Sequence, residues 1–214
     1  MTTLDAPTEL ARFGDLDIRW DRRVLRPRAW TTAQSHWAAA LSPHCPDGPI
    51  LELCCGAGQI GLLAAVLSGR PLVQVDRDPA ATAFARSNAA DAGVPSDVRT
   101  AALADALQPE ELFGLVIFDP PYVPTARVSE FPEDPVGAID GGFDGTEQLV
   151  LGLGVALRHL HPDGHLVVQA RDTDQAEVVG RVLDGLGQGR SPRTVLEVRD
   201  YQPGGVLLDI GPGA

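Results

Sequence analysis

Lysine is absent from this 214-residue chain: all 17 basic residues are arginine, and Asn88 is the only asparagine. Folding physics supplies no reason for that bias. Lys, Asn and Ile codons are AT-rich, so the usage matches a bacterium with GC-rich DNA. Cysteine is scarce too, with three residues, two of them adjacent (Cys54, Cys55). That excludes a disulfide framework, and without CxxC pairs it gives no zinc site, so no metal is expected and Cys45 reads as a lone thiol. No apolar run reaches the ~18 residues of a membrane span. Met1 is followed by Thr2-Thr3-Leu4-Asp5-Ala6-Pro7, without the basic start and apolar stretch of a secretory signal, so a cytoplasmic protein is expected. Positive charge is in deficit as well: the net −12 disfavours an extended nucleic-acid footprint.

What is present is ordinary globular composition, 44% hydrophobic and 21% charged residues. No repeat or long linker divides the chain. One domain over 1–214 is expected, with 1–45 as a leading substrate-side segment and 46–214 as the catalytic core. Leu16 to Ile18 alternates and suggests a short strand within 13–20, and 33–41 is Ala-rich and helical. Buried strands are expected at 49–54, 72–76, 98–102, 115–118 and 165–170. Helices are expected at 59–67, from Asp78-Pro79 to Gly93, at 146–160 before the turn His161-Pro162-Asp163-Gly164, and from Asp172 to Gly187. The end reads as a hairpin, 194–199 and 206–210 around Gln202-Pro203-Gly204-Gly205. Strands alternating with helices imply an α/β fold: a doubly wound, Rossmann-like, mostly parallel seven-stranded sheet closed by a C-terminal antiparallel hairpin. Ligands of such sheets sit at the carboxyl ends of the strands.

Gly56-Ala57-Gly58-Gln59-Ile60-Gly61 lies between a strand and a helix, and Asp76 follows Gly56 by 20 residues at the end of the next strand. Glycines let a ligand approach the backbone, the helix start offers unpaired N–H groups, and Asp76 suits the two hydroxyls of a ribose. The turn by itself serves NAD or S-adenosylmethionine (SAM) equally. Glu52, inside the first core strand, favours SAM, because a carboxylate repels a pyrophosphate but attracts the ammonium of a methionine end.

Phe118-Asp119-Pro120-Pro121-Tyr122 ends the most apolar strand. The Asp119 carboxylate and the Pro120 carbonyl can both accept from one NH2 group. Two consecutive prolines stiffen that loop, and Tyr122 presents a flat face to a planar substrate. Such a nitrogen has a delocalised lone pair, and positioning it is the main task of a methyl-transfer site. Arg19, Arg22, Arg23, Arg26 and Arg28 fall within ten residues and read either as a dock for an acidic protein or a phosphate-bearing substrate, or as a solvated edge partly neutralised by Asp17 and Asp21. His159, His161 and His165 read as turn residues rather than metal ligands.

Glu52-Leu53-Cys54-Cys55-Gly56-Ala57-Gly58 resembles the first motif of class I SAM-dependent methyltransferases, with Cys54 where that family has its first Gly. Asp119-Pro120-Pro121-Tyr122 resembles the signature of methyltransferases acting on planar amines. Arg26 to Thr31, the loop from Glu133 to Gly145 and the turn at 159–164 resemble the HemK/PrmC family, which methylates glutamine amides of release factors. The resemblance covers about residues 13–187. It implies a SAM cofactor held by Glu52, Cys54, Gly56, Gly58, Asp76 and Asp105. Catalysis would fall to Asp119, Pro120 and Tyr122, with Arg28, Thr31 and Pro121 on the acceptor side. It also implies a protein glutamine as methyl acceptor. The alternatives are an exocyclic amine of a nucleobase or small molecule, and, further off, a NAD-dependent oxidoreductase or a silent SAM-binding module. The family has Asn where this chain has Asp119, and its N-terminal helical domain has no counterpart in the twelve residues before Phe13.

Overall fold

The computed structural model describes residues 7–185, 192–201 and 204–213. A hairpin, β1 (Glu9–Phe13) and β2 (Leu16–Trp20), precedes helix α1 (Thr32–Leu41). Then follow β3 (Ile50–Leu53), α2 (Gln59–Ser68), β4 (Leu72–Asp76), α3 (Pro79–Asp91), β5 (Ser96–Thr100) and β6 (Phe113–Phe118). The short α4 (Val136–Ile139), α5 (Glu147–His159), β7 (Leu160–Ala170), α6 (Thr173–Gly185), β8 (Arg193–Tyr201) and β9 (Gly205–Pro212) complete the chain.

Strands β3 to β9 form one seven-stranded sheet in the order β5-β4-β3-β6-β7-β9-β8. Pairings among β3 to β7 are parallel, whereas β9 runs antiparallel to both β7 and β8. The sheet expected from the sequence is therefore the one observed. The connection from β3 runs to β4 and that from β6 runs to β7, in opposite directions along the sheet, which opens a crevice at the carboxyl ends of the adjacent strands β3 and β6.

Alternation within the strands builds two cores. Leu51, Leu53, Val116 and Phe118 face α5 and α6, while Ile50, Leu115 and Ile117 face α1, α2 and α3. Because both faces are covered at the centre of the sheet, β3 and β6 are buried along their whole length, and a polar residue there must find a partner. Glu52 and its cross-strand neighbour Gln74 do so under α2.

Several bounds differ from the sequence expectation. The hairpin β1–β2 replaces one strand, with Gly14 at φ +57 in a two-residue turn. Strand β5 begins two residues early because its register follows β4, from Leu72 opposite Ser96 to Asp76 opposite Thr100. Residues 161–164 bulge within β7, opposite the step from Phe113 to Leu115, rather than ending an element. His159 and His165 are consequently part of regular elements: His159 Nδ1 meets Glu111 O at 2.8 Å, and His165 Nδ1 meets Asp209 at 2.9 Å. The expected helix end at Gly187 and the hairpin residues Gln202 and Pro203 lie outside the described residues. The sole asparagine is structural. Asn88 pairs with both backbone groups of Arg19 (2.8 and 3.1 Å) and donates to Ala57 O (2.9 Å), tying the hairpin and the glycine turn to α3.

Among the described residues, no helix is long and apolar enough to cross a membrane.

Candidate active site

Two adjoining cavities lie over the carboxyl ends of the strands, and Leu25, Gln59, Asp119, Pro121 and Ala138 border both. The first cavity takes its floor from Cys54, Cys55 and Gly56 after β3, a wall from Asp76 after β4, and an apolar wall from Ala101 to Leu103 after β5. The second is bordered by Asp119 to Tyr122 after β6, by Arg28 and Thr31 from the N-terminal segment, and by Arg171 after β7.

The turn between β3 and α2 has left-handed backbone at Cys54 (φ +59), Gly56 (φ +54) and Gly58 (φ +84). Cys54 is the only non-glycine with positive φ among the described residues, a conformation costing roughly 1–2 kcal/mol for an L-residue. Both Cys54 and Cys55 thiols are pushed well above their ordinary range, first by burial and then by nearby carboxylates. Gly56 presents bare backbone to open space, so a Cβ there would project into the cavity. Its N–H donates to Asp76 Oδ2 at 2.9 Å, and Asp78 N–H donates to Asp76 Oδ1 at 2.9 Å. These bonds hold the Asp76 carboxylate against the turn, while burial still raises its pKa.

Glu52 does not border either cavity. It is 2% exposed, Oε1 accepts from Gly61 N–H at 2.9 Å, and Oε2 accepts from Gln74 Nε2 at 2.7 Å. Burial raises its pKa to about 7 against those two bonds. Gly61 is required for this approach, since a Cβ would stand 2.5 Å from Glu52 Oε2. Gly58 also stays off the cavity wall and packs on Gln74. Asp105 is exposed at the end of a short 3-10 turn, and Leu103 borders the cavity in its place. Of the six residues expected on the cofactor, Cys54, Gly56 and Asp76 border the first cavity.

Asp119 stands apart from every other carboxylate here. No hydrogen bond from the described residues reaches it, and burial alone raises its pKa to about 7. The Tyr122 phenol is raised to about 12, by burial and then by Asp119. The loop carrying them is pinned from behind: Val123 N–H donates to Ile139 O (2.9 Å), Gly141 N–H donates to Val123 O (2.8 Å), and the buried Gln175 amide bridges Tyr122 O and Gly145 O.

The arginine cluster does not form one patch. Arg28 donates to both Asp134 oxygens (2.7 and 2.8 Å) and borders the second cavity, where Thr31 Oγ1 donates to Arg28 O at 2.9 Å. Arg19 pairs with Asp91, Arg23 with Asp21, and Arg26 lies over Trp20. Asp17 pairs with Arg12 instead of the cluster.

Sequence reasoning missed Gln59, Arg171 and Gln175. Gln59 carried a signal, as a polar residue opening an otherwise apolar helix; Arg171 and Gln175 carried none beyond following a strand end.

The first cavity fits SAM on this structure. Its glycine floor is bare, an apolar wall suits a flat base, and two half-buried carboxylates, Asp76 and Asp119, favour a cation and disfavour a pyrophosphate. Residues 35–131 match the methyltransferase small domain family. The chain is 34% identical over 180 residues to a release factor glutamine methyltransferase of Mycolicibacterium smegmatis, covering 79% of this chain and 62% of the relative. It is 32% identical over 168 residues to a ribosomal protein uL3 glutamine methyltransferase of Burkholderia pseudomallei, covering 70% and 53%. The chain thus spans about three fifths or less of these curated relatives' length. The crystal structure of a ribosomal protein L11 methylase from Lactobacillus delbrueckii superposes with a TM-score of 0.65 at 16% identity, covering 92% of this chain and 86% of that one, a likeness of fold. Sheet order, turn and family match agree: residues 35–131 form a methyltransferase small domain.

Proposed function

We propose that this domain methylates a planar amide nitrogen, the side chain of a protein glutamine, with SAM in the first cavity and the amide in the second. The Asp119 carboxylate carries the reading: it is half-buried, bound by no donor among the described residues, and borders both cavities. SAM, when bound, supplies an electrophilic methyl on a sulfonium. Asp119 and the Pro120 carbonyl accept the two N–H bonds of the amide and turn its nitrogen toward the first cavity. Tyr122 offers its ring to the amide plane. Transfer would join the methyl carbon to this nitrogen as its bond to the sulfonium sulfur breaks, with S-adenosylhomocysteine as the leaving group and the nitrogen's proton passing to solvent. Asp76 would hold the ribose, and Cys54 and Gly56 the floor beneath the methionine portion; Glu52 and Gly58 support that floor from behind.

Arg28 and Thr31 serve the acceptor side in this reading, because they border the second cavity, whereas Arg23 and Val24 of the same leading segment border the first. The relatives are named for release factor and ribosomal protein glutamines, and a translation component would place the reaction in the cytoplasm. A nucleobase amine is the competing acceptor, favoured by Asp rather than Asn at position 119 and disfavoured by the net charge of −12. Incubating the protein with methyl-labelled SAM and a bacterial lysate separates the two. We expect label in the protein fraction, with methylglutamine found by mass spectrometry; label confined to nucleic acid would refute the glutamine assignment.

A further inference from the structure

Gln59 is the first residue of α2, is 9% exposed, and borders both cavities. Its carbonyl oxygen Oε1 is buried and has no hydrogen-bond partner. An unpaired buried carbonyl destabilises the protein unless a ligand supplies the missing donor. The rest of the helix gives no packing reason for an amide: Ile60, Leu62, Leu63, Ala64 and Ala65 are buried and apolar. Nor does Gln59 cap the helix, whose N-cap position, Gly58, makes no side-chain bond.

We propose that Gln59 is the positioning residue for the amino-acid end of SAM, its side-chain oxygen accepting a hydrogen bond from the ammonium group. The proposal rests on the first cavity being the cofactor's. Glu52, the carboxylate whose charge the sequence aimed at that ammonium, is spent on Gly61 and Gln74 behind the turn. Asp76 is held by two backbone N–H groups after β4, and Asp119, which borders both cavities, is engaged by the acceptor amide in the proposed reaction. Gln59, at the start of the helix that follows the glycine floor, carries a side-chain acceptor with no partner. The last torsion of an amide is soft, so turning it brings Oε1 into the space that the side chain already borders. The first N–H groups of α2 have no partner within the helix and suit the carboxylate of the same zwitterion.

The test compares two ligands on the full chain by calorimetry: S-adenosylhomocysteine, which has the amino-acid end, and 5′-methylthioadenosine, which lacks it. Gln59→Leu should weaken S-adenosylhomocysteine about tenfold, the worth of one hydrogen bond to a charged donor, and leave methylthioadenosine within about twofold. The unliganded variant should melt no lower than the original, because the unpaired carbonyl is gone. Gln59→Ala, which only shortens the side chain at a helix start, should repeat the pattern. Unchanged S-adenosylhomocysteine affinity, or equal weakening of both ligands in both variants, would overturn the assignment. Failure of the unsubstituted protein to bind either ligand would instead overturn the cofactor reading of the cavity, and this proposal with it.

Discussion

Replacing Asp119 by Asn should make the protein more stable and keep it active. In the folded protein burial raises this carboxyl from 3.8 to about 7. At 1.36 kcal/mol per pH unit, the ionised form then costs roughly 4 kcal/mol. The side chain still borders two open cavities, so about half of that, roughly 2 kcal/mol, is the expected gain from a neutral amide. The unfolded chain ionises Asp119 near its ordinary value, so between about pH 4 and pH 7 the folded state binds more protons. Its contribution to stability therefore falls as pH rises through that window and levels off above it. Asp119→Asn should melt about 4–8 °C higher at pH 8, with the difference shrinking toward pH 4. In single-turnover assays at saturating SAM it should retain substantial activity, because its oxygen still accepts from the acceptor NH2. Asp119→Ala should lose roughly 10²–10⁴-fold, since nothing then aligns the nitrogen. An Asn variant as inactive as the Ala variant would refute positioning and make Asp119 the proton acceptor. An Asn variant no more stable at pH 8 would refute the half-buried, unpartnered carboxylate.

Three further substitutions probe the scaffold and the cofactor side. Asp76→Ala should weaken SAM at least about tenfold in calorimetry, through loss of charged acceptors and release of the Gly56 and Asp78 N–H groups; unchanged affinity would remove Asp76 from the site. Cys54→Gly should raise stability by about 1 kcal/mol in denaturant unfolding, because glycine relieves the strain at φ +59, and a loss would show the thiol packing to outweigh that strain. Asn88→Ala should cost about 2–4 kcal/mol by the same measurement, leaving Arg19 and Ala57 backbone groups unpaired; a change under about 1 kcal/mol would mean water replaces the amide.

Residue order alone determined the alternation of strands and helices, the parallel sheet and its terminal hairpin. It also put Gly56, Asp76 and Asp119 at strand ends, because in a doubly wound sheet chain position fixes which end of a strand a loop leaves from. Glu52 shows where that reasoning stops. Alternation sets it on the face opposite Leu51 and Leu53, yet both faces of this sheet are covered, and only the seating of α2 turned its carboxylate to Gly61 and Gln74. Asp105 sits near the expected place in sequence, but the 3-10 turn at 103–105 points Leu103 to the cavity instead. Arg28 meets Asp134 across 106 residues, a pairing that no local pattern encodes. Gln59 opens an apolar helix as an odd polar residue, but its missing partner and its place between two cavities exist only once α2 is packed on β3 and β4. Local periodicity and turn chemistry act within a few residues and are written along the chain. Facing, pairing and cavity walls are contacts between distant segments, and packing decides them.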